Sequence, residues 1–91
     1  MAQSRNTISK AVLLFSCADQ RGIVAEVSQF IFSYGGNIVH SSQHNDAETS
    51  TFFMRVEWDL SGFLIERADI ADAFRPIAEK FTMNWLLKFS D

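Results

Sequence analysis

Several features that often point to a function are scarce in this chain. It has one cysteine, Cys17, so it cannot form an internal disulfide, and we expect a reducing, cytoplasmic location. Basic residues number 8 against 11 acidic ones, so the chain lacks the positive field that nucleic acids attract. No apolar run approaches the ~18 residues of a membrane span. The first ten residues also lack the apolar segment of a signal peptide. We therefore expect neither a nucleic-acid nor a membrane partner.

What the chain does contain is apolar material for a folded core. Its 91 residues are 47% hydrophobic and include nine Phe and two Trp, which is unlike a disordered composition. This length fits one compact domain and leaves little room for a deep catalytic cavity. We predict a flexible start at residues 1–9 and a single domain at residues 10–91.

The spacing of apolar residues predicts strands and helices in the order βαββαβ. Helical spacing begins at Ile23 and stops before two glycines, and a second helical pattern carries Pro76, which should kink that helix or shift its start. Strict alternation is clearest between Phe52 and Leu60. The predicted strands cover 10–16, 37–44, 52–60 and 83–89, and the predicted helices cover 23–34 and 70–81.

This order is typical of the ferredoxin-like fold, an α+β arrangement with a four-stranded antiparallel sheet and two helices on one face. The second strand, 37–44, should lie at a sheet edge beside the first helix. Because an unpaired edge can pair with another copy, we predict a homodimer through this strand.

No recognised catalytic or metal-binding set is present. His40 and His44 are four residues apart on a predicted strand, which separates them by ~13 Å, too far to share one ion. Cys17 lies at the end of a buried strand and fits a small core residue better than a nucleophile. We therefore predict no catalytic residues, no metal site and no cofactor in this chain.

An RNA-binding sheet is an alternative, because RNA-recognition modules share the βαββαβ order. Phe53 is an aromatic residue on a central strand, but residues 52–56 read FFMRV and lack the basic and glycine-rich signature of those modules. The acidic charge balance argues against RNA as well. Phe53 is better explained as a contact to another domain or subunit.

The loop "ADQRGI" lies directly before the first predicted helix. Its backbone N–H groups at Arg21, Gly22 and Ile23 carry the positive end of the helix dipole and could bind a carboxylate. Gly22 would let a ligand approach closely. The alternative is that Asp19 caps the helix by accepting a hydrogen bond from the Arg21 or Gly22 amide, which would explain Asp19 without any ligand.

Asn37 opens the edge strand, and we expect it next to the start of the first helix, facing it across a subunit seam. Its side-chain amide can both donate and accept hydrogen bonds, so it suits the two charged ends of an amino acid. Alternatively, Asn37 is an ordinary turn residue following Gly35 and Gly36. The residues alone leave both explanations open.

The stretch "LLFSCADQRGIVAEVSQFIFSYGGNI", together with the element order, resembles the ACT domain family. "GGNIVHSSQHNDAETSTFFMRVEW" and "FRPIAEKFTMNWLL" are further similar to the N-terminal ACT domain of the formyltetrahydrofolate deformylase family. That resemblance implies a regulatory domain that responds to glycine or methionine. It also implies that hydrolysis of 10-formyltetrahydrofolate belongs to a C-terminal hydrolase domain, which these 91 residues do not contain. One departure is Arg21, where many ACT domains have proline.

By this resemblance, seven residues would bind the effector: Asp19, Gln20, Arg21, Gly22, Ile23, Asn37 and Ile38. The implied partners are a small amino acid, a second copy of the chain and the hydrolase domain of a parent enzyme. Two other functions stay open. The chain could be an oligomerisation module without an effector, or a free-standing ACT regulator of glycine metabolism.

Overall fold

The computed structural model describes residues 9–90 in the order βαββαβ. The predicted flexible start at 1–9 lies outside the described residues except for Ser9, whose carbonyl accepts a hydrogen bond from the Leu60 amide at 3.0 Å. Asp91 also lies outside them. The elements are β1 (Lys10–Ala18), α1 (Ile23–Ser33), β2 (Asn37–Asp46), β3 (Thr51–Asp59), a 3-10 turn (Arg67–Asp69), α2 (Ile70–Lys80) and β4 (Asn84–Ser90).

The strands form an antiparallel sheet in the order β2-β3-β1-β4, which confirms the predicted ferredoxin-like fold and the edge position of β2. Both β1 and β2 run antiparallel to β3, so they run parallel to each other. The end of β1 and the start of β2 therefore lie at opposite ends of the sheet.

One face of the sheet packs against both helices and forms the core. The predicted alternation in β3 is confirmed, because every second side chain is buried on this face while Phe53 is 43% exposed on the other. α1 and α2 meet through the rings of Phe30 and Phe74, whose centroids are 5.6 Å apart. Other core residues are Leu13, Phe15, Val27, Ile31, Met54, Val56, Trp58, Ile70 and Ala78.

The return from α1 to β2 depends on a glycine that packs tightly. The Gly36 amide donates to the Ile31 carbonyl at 2.9 Å. A Cβ at Gly36 would lie 2.6 Å from Cγ2 of Ile31 and 3.0 Å from Cδ1 of Trp58, distances that leave no room for a side chain. Gly36 thus lets the chain turn directly over the core and places Asn37 at the start of β2.

Pro76 lies inside α2 without ending it. The helix runs from Ile70 to Lys80, so Pro76 does not shift its start away from the first apolar residue of the pattern. A proline nitrogen cannot donate, and the helix continues without a bond from residue 76 to the Asp72 carbonyl. The buried residues Phe74 and Ala78 flank the proline and hold this segment against the sheet.

The two edge strands differ in exposure. Every residue of β2 from Asn37 to Asn45 is exposed, and the pairing with β3 shifts register between Ile38 and His40. β4 instead alternates between half-buried and exposed residues. Neither helix within residues 9–90 is long and apolar enough to cross a membrane.

Candidate functional site

The loop between β1 and α1 ends at a glycine that begins the helix. Gly22 has φ 89°, the left-handed region that favours glycine, and its carbonyl accepts the first helical bond from the Glu26 amide at 3.0 Å. The amides of Ile23, Val24 and Ala25 come before that bond, so they have no helical acceptor. Among residues 9–90, no side chain caps this end of the helix.

Asp19 does not cap the helix, which removes the alternative considered from the sequence. Its carboxylate Oδ2 accepts a hydrogen bond from Nδ2 of Asn45 at 2.8 Å, and its amide donates to the Ser50 carbonyl at 2.8 Å. Gln20 Nε2 donates to the Ala18 carbonyl at 3.0 Å and more weakly to the Phe81 carbonyl at 3.4 Å. These bonds fix the loop and leave the first helical amides uncapped.

The space beside Gly22 is open. A Cβ built at this glycine would meet no other group within 4 Å. Glycine is therefore required here by the left-handed backbone and not by crowding. The open space also lets a small ligand approach the helix amides from this side.

The seven residues predicted to bind the effector differ in how they are exposed. The side chain of Ile23 is buried in the core, so only its backbone amide can face a ligand. Asp19, Gln20, Arg21 and Gly22 are exposed, as are Asn37 and Ile38 on β2. The structure thus brings Asp19, Gln20, Arg21, Gly22 and the amide of Ile23 together in one loop.

Asn37 does not lie beside that loop within one chain, and its expected place opposite the helix start across a subunit seam stays a prediction. Asn37 at the start of β2 and Lys10 at the start of β1 both pair with Asp59 at the end of β3. Ala18, at the end of β1, pairs with Thr51 at the opposite end of the sheet. Nine steps of a strand separate Asn37 from Asp46 by about 30 Å. We call the part around Asp19–Gly22 and Asn45 the loop end, and the part around Gly36–Ile38 the amide end.

The other candidate residues have structural explanations. Cys17 is buried, and burial followed by the negative charge of Asp19 raises the pKa of its thiol, which makes the reactive thiolate scarcer. His40 and His44 both lie on β2, as predicted, and Nδ1 of His40 lies 3.4 Å from an NH group of Arg55. Within residues 9–90, no three metal-ligating side chains cluster together.

The open face of the sheet carries a shallow groove of about 620 Å³, bordered by Leu14, Phe53 and Leu86. Arg55 lies in the same groove, and its guanidinium forms an ion pair with Glu57 at 3.3 Å. Lys10 is also paired with Glu57, at 3.7 Å. These two basic groups therefore share one carboxylate. A contact through Phe53 stays a prediction.

Two residues that hold the loop were not predicted from the sequence. Asn45 and Ser50 border the turn between β2 and β3, and both bond to Asp19. Their sequence context, NDAETS, identified only a turn. Their contact with Asp19 depends on the pairing of β2 with β3, which local spacing does not report.

Comparisons with known proteins agree with this fold. The family model described as "ACT domain" matches residues 11–79. A formyltetrahydrofolate deformylase from Synechocystis sp. is 44% identical over 81 residues, which are 89% of this chain and 28% of that protein. One from Bacillus subtilis is 46% identical over 79 residues, 86% of this chain and 26% of that protein.

Solved structures give the same picture. A formyltetrahydrofolate deformylase from Pseudomonas syringae superposes with a TM-score of 0.87 at 36% identity, covering 91% of this chain and 28% of that one. An ACT domain protein from Streptococcus pneumoniae has a TM-score of 0.75 at 23% identity, covers 91% of each chain and shows a similar fold. The chain spans only 26–28% of the length of the deformylases named here.

Proposed function

Since the chain belongs to the ACT domain family, we propose that it serves as the regulatory domain of a formyltetrahydrofolate deformylase and senses a small amino acid. The parent reaction is the hydrolysis of 10-formyltetrahydrofolate to tetrahydrofolate and formate, carried out by a separate C-terminal domain. The similarity to deformylases from Synechocystis and Bacillus supports this assignment.

The observation that carries the proposal is an uncapped helix start beside an exposed edge strand. The Asp19–Asn45 hydrogen bond ties the loop to the last part of β2. The helix amides at the loop end can hold a carboxylate. Asn37, at the amide end, can donate and accept hydrogen bonds, but it is about 30 Å away along its own strand.

A second copy of the chain resolves this separation. When a two-fold axis pairs an edge strand with its own copy, the two strands run antiparallel. The amide end of one copy then approaches the loop end of the other. Two equivalent sites result, each with the helix amides from one protomer and Asn37 from its partner.

The exposed apolar side chains support pairing through β2. Phe32 is 75% exposed at the end of α1, and Ile38 and Val39 are exposed on the edge strand itself. Exposed apolar groups gathered along an unpaired edge favour association with a partner. We therefore assign the homodimer contact to β2 and the neighbouring end of α1.

Glycine and methionine are the proposed effectors. Glycine has five heavy atoms, and a ceiling of about 1.5 kcal/mol per atom limits its binding to roughly 7 kcal/mol, a micromolar dissociation constant at best. Such an affinity suits a sensor of metabolite levels. Effector bound at the seam would favour the paired state and so bias an attached hydrolase domain.

Calorimetry on the 91-residue chain tests the proposal. We expect glycine or methionine to release heat, whereas acetate, which lacks the ammonium, and glycinamide, which lacks the carboxylate, should not. The controls separate recognition of both charged ends from a simple anion effect at the helix start. Absence of heat with both amino acids would refute effector binding.

A second candidate is an oligomerisation module without an effector, favoured by the exposed Phe32, Ile38 and Val39. Sedimentation with and without amino acid separates the two functions. A sensor forms more dimer when its effector is added, whereas a simple oligomerisation module forms the same dimer in both cases. Reading the coding sequence past Asp91 distinguishes a deformylase domain from a free-standing regulator.

A further inference from the structure

We propose that Asn45 couples the effector loop to the edge strand, so that an amino acid bound at the loop strengthens pairing through β2. The inference rests on the proposed function and names the residue that transmits its regulation. Asn45 acts here as a positioning residue. It reaches the loop through Asp19, not through the ligand.

The register of the sheet explains why Asn45 can do this. Cys17, Phe52 and Asn45 form one row across β1, β3 and β2. Residues directly opposite each other share a face, so Asn45 points to the same side as the loop. Two strand spacings, about 10 Å, separate β1 from β2. The Asn45 side chain bridges this gap with a 2.8 Å bond to Oδ2 of Asp19.

The other hydrogen bonds of the loop join it to elements other than β2. The Asp19 amide is bonded to Ser50, in the turn after β2, and Gln20 is bonded to Ala18 and to Phe81 at the end of α2. These contacts hold the loop to the body of the domain. The bond from Asn45 joins it directly to the exposed strand that would pair with a second copy.

The chemistry of Asp19 allows it to bind Asn45 and a ligand together. A carboxylate has about four acceptor positions on two oxygens, so a bond from Asn45 to Oδ2 leaves Oδ1 for the ammonium of an amino acid. The ammonium bond is charge-assisted and fixes the rotamer of Asp19. With Asp19 fixed, Asn45 and the end of β2 are held in one conformation, which lowers the entropy cost of pairing.

By linkage, the coupling must act in both directions. If the effector tightens the dimer by some factor, dimerisation tightens effector binding by the same factor. Typical couplings of this kind amount to about 5- to 150-fold. The wild-type chain should therefore show a dimer dissociation constant that falls at least about fivefold when glycine or methionine is added.

The test uses the 91-residue chain with three substitutions. Asn45→Ala removes the bond, and Asn45→Asp keeps the size of the side chain but removes its donor. Gln43→Ala is the matched control, because Gln43 is also exposed and lies two positions earlier on the same side of β2. Effector affinity is measured by calorimetry at a protein concentration where every variant is dimeric, and dimerisation by sedimentation with and without the amino acid.

We expect the effector to tighten the Asn45→Ala dimer at least about threefold less than it tightens the wild-type dimer. By reciprocity, the effector affinity of each site in the dimeric variant should fall by the same factor and no more. Asn45→Asp should bind at least as well as Asn45→Ala, because its charge favours the ammonium, and should show the same loss of coupling. Gln43→Ala should behave like wild type. Unchanged melting temperatures show that the variants are folded.

Three results would overturn the inference. In the first, Asn45→Ala keeps the full effect of effector on dimerisation. In the second, its effector affinity falls more than about threefold beyond the loss of coupling, which would make Asn45 part of the binding pocket. In the third, wild type itself binds no amino acid. That outcome refutes the proposed function as well, and the wild-type titration alone identifies it.

Discussion

At the loop end of the sheet, Gly22 borders open space, whereas at the amide end Gly36 is packed against Ile31 and Trp58. The loop end is held by exposed side-chain bonds such as the one between Asp19 and Asn45. The amide end is held by the core itself. One end is therefore accessible to a ligand, and the other is a rigid support that presents Asn37.

In the proposed function, neither end forms a complete site alone. The loop end offers uncapped backbone amides, and its side-chain amides, those of Gln20 and Asn45, are bonded to other groups of the chain. The amide end offers Asn37 but no helix start. Because β1 and β2 run parallel, one chain keeps the two ends apart. In the proposed dimer, an antiparallel partner would bring them together.

The largest expected effect concerns ligand response at the loop end. Gly22→Val should abolish the heat released by glycine or methionine, because the branched side chain fills the open space beside the helix amides. Gly62→Val is the matched control. Gly62 also has a positive φ, 74°, and open space at its Cβ, but it lies in the turn after β3.

Both valine variants should lose about 1–2 kcal/mol of folding stability, because both force valine into the left-handed region. Only Gly22→Val should lose the ligand. Equal loss of binding in the two variants would show that the response depends on general stability and not on the space beside the helix.

The next effect concerns stability at the amide end. Gly36→Ala should lower the free energy of unfolding by about 2 kcal/mol, since the added methyl group overlaps Ile31 and Trp58. Gly22→Ala, which meets no neighbour, should cost only about 1 kcal/mol through its backbone conformation. Urea unfolding of both variants measures the difference, and a larger loss at Gly22 would contradict the assigned roles.

A smaller effect is expected at the two sheet edges. Val39→Lys places a charge on β2 and should weaken the proposed dimer about tenfold. Leu86→Lys is the control, because Leu86 is likewise an exposed apolar residue on an edge strand, β4. Sedimentation should show weaker dimers for Val39→Lys alone. If Leu86→Lys is the damaging variant, the dimer forms through another surface.

Much of the fold could be predicted from the sequence because local spacing determines it. The alternation in β3 and the start of α1 at Ile23 both follow from side-chain periodicity, and both are confirmed. The edge position of β2 follows from the element order, and it too is confirmed. Even Pro76, which conflicts with helix propensity, lies within a helix whose apolar face is well packed.

The site was harder to predict because it depends on strand register and direction. Nothing in the spacing of Asp19 and Asn45 shows that they bond, since the pairing of β2 with β3 brings them together. The capping role predicted as an alternative for Asp19 is wrong, because no side chain among residues 9–90 caps α1 and Oδ2 of Asp19 is bonded to Asn45. The parallel direction of β1 and β2 likewise separates Asn37 from the loop.

The central claim is that each effector site is shared between two protomers, and a mixed dimer tests it most directly. Gly22→Val chains and Asn37→Ala chains are co-expressed with different tags, and the heterodimer is purified. In a shared site, one of the two positions combines an intact loop with an intact Asn37, while the other carries both changes. Calorimetry should then show one effector per heterodimer, while neither parent variant binds at wild-type affinity. A heterodimer in which wild-type affinity is not recovered would contradict a site formed across the subunit seam.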